Sequence, residues 1–175
     1  MIIDLNQITG MIFPLDMKIP ANEIDLGDED VALKSDVELK GAIEKHSYEV
    51  YVAGTINAAA EIKCDRCLSP IDTTLEIRFK ISYVSSEYES GENDIQIGGD
   101  DLDVSFYEDE KIDLMEMVRE QIILSLSETA LCKPDCAGLC QKCGGNKNET
   151  NCDCSEREID PRFKVLENLA KENRN

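Results

Sequence analysis

Cationic side chains are scarce in this chain: 18 Lys and Arg stand against 37 Asp and Glu, leaving a formal charge of −19 at pH 7. A surface that acidic repels phosphate backbones as a whole and attracts basic partners. Histidine is scarcer still. His46 is the single one in 175 residues, which removes any H-E-x-x-H zinc site. Lying between Lys45 and Ser47 at an expected turn, it reads as a solvated turn residue rather than a ligand. No stretch reaches the ~18 consecutive apolar residues of a membrane-spanning helix. Met1-Ile2-Ile3-Asp4 has neither a basic flank nor an apolar block of export length. Gly-rich phosphate loops are absent, and the acidic stretches lack the ligand periodicity of an EF-hand. The expectation is a cytoplasmic chain with no membrane segment and no small-molecule substrate.

What the chain does have is eight cysteines. In a reducing compartment an even cysteine set points to metal rather than disulfides. They run Cys64-x2-Cys67, then Cys132-x3-Cys136-x3-Cys140-x2-Cys143-x8-Cys152-x-Cys154. A C-x2-C turn delivers two thiolates to one ion while its backbone amides hydrogen-bond to the sulfurs, and tetrahedral zinc takes four such ligands. Cys140 and Cys143, with Gly144 and Gly145 supplying backbone freedom, pair naturally with Cys152 and Cys154. Cys64, Cys67, Cys132 and Cys136 remain for a second site, joining the turn between two strands to the end of a helix. One shared site with spare thiols is the competing arrangement. Two zinc ions per chain are expected, and all-cysteine ligation leaves no open position for catalytic water. The spacing does not match the ferredoxin run C-x2-C-x2-C-x3-C-P. A redox C-x-x-C should open a helix, whereas Cys64 to Cys67 falls between strands.

The expected class is α+β: an antiparallel β-meander packed on a buried helix, with cysteine-ligated zinc knuckles and a C-terminal helix. Val37, Leu39, Gly41 and Ile43 alternate with Asp36, Glu38, Lys40 and Glu44. Val50, Val52, Ile56 and Ala58 share a face, and Ile71 through Tyr83 alternate most strictly. From Ile81 to Glu110 there are ten acidic residues and no Lys or Arg, which reads as an acidic loop at 85–101 with a short strand near Leu102–Phe106. Asp113 and Glu116 form a capping-box-like start. The helix behind them is expected to run to about Ser127, its apolar stripe widened by Met115, Ile123 and Leu124. Asp160-Pro161 opens the terminal helix. Residues 1–131 are thus a sheet-and-helix core and 132–175 a zinc segment with its helix, folding as one cooperative unit. Lys63, Arg66, Lys133, Lys142 and Lys147 gather modestly near the cysteines, but Asp65, Asp135, Glu149 and Asp153 sit among them, so any nucleic-acid patch is weak.

The order C-x-R-C-L after two strands, an I-D-L helix start, L-C-K-P-D-C-A-G-L-C-Q-K-C-G-G-N, a C-x-C pair and D-P-R-F is distinctive. From about Asp36 to Lys171 it resembles the YceD family, the large ribosomal RNA subunit accumulation proteins of bacteria and plastids. The resemblance implies a non-enzymatic ribosome-biogenesis factor. Such a factor supports accumulation or processing of large-subunit (23S) rRNA, by binding the rRNA or a basic large-subunit ribosomal protein. The reading from another class is a cytosolic thiol redox or metal-handling protein.

Overall fold

The computed structural model describes residues 1–8, 10–46, 49–86, 104–127 and 129–154. These are mostly β-sheet with one α-helix, in the order β1 (Ile2–Asp4), β2 (Ile12–Ile19), β3 (Val31–Leu33), β4 (Val37–Lys45), β5 (Glu49–Lys63), β6 (Pro70–Ser85), β7 (Val104–Tyr107), β8 (Lys111–Asp113) and α1 (Leu114–Ser125). Two compact units result. The first comprises Met1–Lys63 and Pro70–Ala130, and the second takes Cys64–Ser69 and resumes at Leu131.

In the first unit the main sheet runs β2-β4-β5-β6-β7, with β3 also on β5. Strict period-2 alternation is what makes β4, β5 and β6 an antiparallel meander: Val37, Leu39, Ile43, Val50, Val52, Ile56, Leu75, Phe79 and Ile81 are all buried, on one side of it. β4 covers β5 from Val50 to Asn57, and β3 takes over the same edge from Ala60 to Ile62. β7 joins β6 in parallel, so the sheet is mixed. β1 and β8 pair as a separate ribbon.

α1 starts where the sequence places it. The Asp113 carboxylate accepts the amides of Met115 at 2.9 Å and Glu116 at 3.4 Å, capping two otherwise unpaired N–H groups. Glu116 does not close the reciprocal box but pairs with Arg119 at 3.0 Å. The helix ends at Ser125, two residues short of expectation, because Leu126 turns extended. Leu114, Met117, Val118 and Ile122 are buried and belong to the same apolar cluster as Leu39, Val52 and Ile56. Leu124, expected on the buried stripe, is 75% exposed.

β2 was not anticipated. His46 is exposed, its ring edge-on to Tyr51. The acidic loop, from residue 87 onward, and the helix from Asp160 lie outside the described residues.

Candidate metal centre

The eight cysteines all fall in the second unit, and their sulfurs gather in two sets. Cys64, Cys67, Cys132 and Cys136 form one; Cys140, Cys143, Cys152 and Cys154 form the other. Within each set the four sulfurs lie within 4.8 Å of one another.

Each set is seeded by a C-x2-C turn, and the two turns share one backbone pattern. Leu68 N donates to Cys64 O at 2.8 Å and Cys64 N to Ser69 O at 2.9 Å; Gly144 N donates to Cys140 O at 2.8 Å and Cys140 N to Gly145 O at 2.8 Å. The residue after the second cysteine is left-handed in both, with φ 58° at Leu68 and 73° at Gly144. Glycine adopts that conformation freely, while a leucine there costs roughly 1 kcal/mol. The first turn therefore holds a backbone that its own sequence disfavours.

The donor set fits a single tetrahedral ion. Four thiolates about 2.3 Å from one zinc stand about 3.8 Å apart. Cys64 Sγ and Cys136 Sγ are 3.8 Å apart, and Cys67 Sγ and Cys132 Sγ 3.6 Å. An iron–sulfur cluster interposes its own iron and sulfide between its cysteines and spreads them wider than this. All-sulfur ligation suits soft, borderline ions such as zinc.

The proton balance agrees. The Cys132 amide donates to Cys64 Sγ at 3.4 Å, and with the Arg66 and Cys67 amides it outweighs burial and lowers the Cys64 thiol to about 6. Amides of Cys143 and Lys142 lower Cys140 to about 6 in the same way. Conversely, desolvation of its sulfur and then hydrogen bonds with Cys67, Cys136 and Cys64 push Cys132 up to about 12, although the residue as a whole is exposed, and bonds with Cys143, Cys140 and Cys152 push Cys154 up to about 12. Each set thus lowers one thiol and raises another, chiefly through the hydrogen bonds the sulfurs share and their desolvation. A divalent cation binds cysteine as thiolate and so displaces the remaining thiol protons.

The two sets differ in exposure. Cys64, Cys67 and Cys136 are buried and Cys132 is exposed, whereas in the second set only Cys140 is buried and Cys143 and Cys154 are exposed.

Two residues that touch the first set, and a third that holds one of them, have no signature in cysteine spacing. Asn148 Nδ2 donates to Cys136 Sγ at 3.3 Å, Cys67 Sγ lies 3.4 Å from Ser69 Oγ, and Asn146 Nδ2 donates to that hydroxyl at 3.2 Å. The only hint in the sequence is the Asn-x-Asn between Cys143 and Cys152. Among the basic residues singled out above, Lys63 Nζ pairs with Asp30 at 2.6 Å, and Arg66 Nη1 donates to Cys136 O at 3.1 Å.

A family model described as large ribosomal RNA subunit accumulation protein YceD matches residues 52–170. A protein of Mycobacterium tuberculosis is 30% identical over 147 residues, covering 78% of this chain and 63% of that protein. YlbN of Bacillus subtilis is 26% identical over 172 residues, 98% of this chain and 95% of YlbN. The chloroplastic large ribosomal RNA subunit accumulation protein YCED homolog 1 of Arabidopsis thaliana is 37% identical over 62 residues, 35% of this chain and 19% of the plant protein. The chain thus spans 63% of the length of the mycobacterial relative. No solved structure matches it.

Proposed function

The chain belongs to the YceD family, and from that premise we propose that it is a non-enzymatic factor supporting accumulation of large-subunit rRNA. The match over residues 52–170 carries the reading. Zinc, on this reading, supplies a structural cross-link: Cys64, Cys67, Cys132 and Cys136 hold one ion and Cys140, Cys143, Cys152 and Cys154 a second. Four protein ligands leave no vacant position for substrate or water, which favours a scaffold over a hydrolase. Among the described residues no helix is long and apolar enough to cross a membrane.

The charge favours a basic protein of the large subunit as the direct partner. Eight thiolates and two divalent ions take the chain from −19 to about −23. At that charge naked RNA is repelled, while the ten carboxylates between Ile81 and Glu110 steer a basic protein inward. RNA is then reached through that protein, or weakly.

A complementation experiment tests both statements. Deleting the gene lowers mature large-subunit rRNA relative to small-subunit rRNA, most visibly in the cold; the unaltered gene restores the ratio, and a version with Glu87, Glu89, Glu92 and Asp94 neutralised does not. An unchanged ratio on deletion overturns the rRNA role. Full restoration by the neutralised version overturns the basic-partner assignment and returns direct RNA contact to the front.

A further inference from the structure

The loop between Cys143 and Cys152 is closed at both ends by ligands of the second sulfur set, yet its side chains serve the first. Asn148 sits at the centre of this arrangement. Its Nδ2 donates to Cys136 Sγ at 3.3 Å and to Asn146 Oδ1 at 2.8 Å, and its Oδ1 accepts the Ala137 amide at 3.0 Å. Every polar atom of the amide is used, which fixes its orientation. Asn146 Oδ1 also accepts the Asn148 amide at 3.0 Å, while its Nδ2 reaches Ser69 Oγ at 3.2 Å and Glu149 at 3.0 Å. Ser69 Oγ in turn lies 3.4 Å from Cys67 Sγ. Two of the four sulfurs of the first set are thus oriented from one short loop that contributes no sulfur to it.

The backbone carries the same link. Leu139 N, next to Cys140, donates to Arg66 O inside the first C-x2-C turn at 3.0 Å. Leu139 also bridges antiparallel to Asn146, and Lys147 N donates to Gly138 O at 2.9 Å. Holding Cys140 and Cys143 against Cys152 and Cys154 therefore sets the segments that place Asn146 and Asn148.

We propose that the two four-cysteine sites are energetically coupled: metal at the second site orders the 144–151 loop, and Asn148, as a positioning residue, passes that order to Cys136 and raises the metal affinity of the first site. This rests on the metal reading above. Hydrogen bonds that orient ligands typically contribute 10- to 100-fold in metal affinity, and coupling of this kind is reciprocal, so filling the first site tightens the second by the same factor. The order of loading follows. The second site is local in sequence and assembles without distant segments, whereas the first joins cysteines 65 residues apart.

Cadmium-113 NMR of the full chain, with chelator competition, reads both sites at once. The unaltered chain gives two all-sulfur signals. Cys143→Ser/Cys152→Ser removes one signal and weakens cadmium at the remaining site at least tenfold. Asn148→Asp keeps the acceptor for the Ala137 amide but removes the donor to Cys136. It shifts the first-site signal and weakens that site at least tenfold, leaving the second-site chemical shift in place. Asn148→Ala behaves alike and guards against an effect of the new charge. First-site affinity within twofold of the unaltered chain in Cys143→Ser/Cys152→Ser overturns the coupling, and the same result in both Asn148 variants overturns the positioning role of Asn148, while the metal reading stands. Absence of any all-sulfur signal from the unaltered chain overturns the metal reading and the coupling with it.

Discussion

Cys64→Ser lowers the thermal midpoint by roughly 10 °C or more, a loss of the size that follows removal of a structural metal, whereas Cys152→Ser lowers it by a few degrees at most. The asymmetry comes from what each set joins. Cys64 and Cys67 meet Cys132 and Cys136 across 65 to 72 residues of chain, so that site closes a long loop whose entropy returns when it opens. Cys64 is also fully buried beneath the Cys132 amide. Cys152 sits in the local, more exposed set, and its loss frees a short loop and weakens the first site without emptying it at millimolar zinc. Thermal melts in zinc-containing and zinc-free buffer measure the difference, and equal losses in the two variants contradict the assignment of one long-range and one local site.

Gly54→Ala destabilises the first unit by about 3 kcal/mol, at the upper end for overpacking. Gly41 and Gly54 face each other in the β4–β5 ladder. A Cβ at Gly54 meets Lys40 O at 2.3 Å and Gly41 Cα at 2.9 Å, and a Cβ at Gly41 meets Ala53 O at 2.2 Å. All of these are backbone atoms, so relief requires the two strands to part rather than a side chain to rotate. Denaturant unfolding measures the loss. A Gly54→Ala chain as stable as the original shows that the strands part there at little cost.

The meander was legible in the sequence because β4 and β6 keep one apolar face and alternate with charged residues along most of their length, leaving a one-residue slip no favourable register. β2 carries the same signal in a weaker form. Phe13, Leu15, Met17 and Ile19 alternate with Pro14, Asp16 and Lys18, and Leu15 and Ile19 are buried, but the exposed apolar run of Met11, Ile12 and Phe13 and a proline inside the strand blur the period. The parallel pairing of β7 on β6 depends on a crossover, which alternation does not encode. Asp113 marked the helix start through a cap that has a sequence form. Its end was overrun because Leu126 is apolar and continues the pattern although its backbone turns away. At the cysteines, spacing shows which sulfurs are near in sequence, and the two C-x2-C turns follow directly. Ser69 and Asn148, and Asn146 behind Ser69, were invisible because a hydrogen bond to a sulfur needs only one well-placed polar side chain, with no repeat to announce it.

On the proposed reading the eight cysteines make two metal sites with four sulfurs each, and metal content measures this directly. Elemental analysis of the purified full chain, with thiols counted before and after mercurial release of the metal, is expected to give two zinc ions and eight protected thiols per chain. One ion per chain, iron in place of zinc, or four freely reactive thiols alongside bound metal contradicts it.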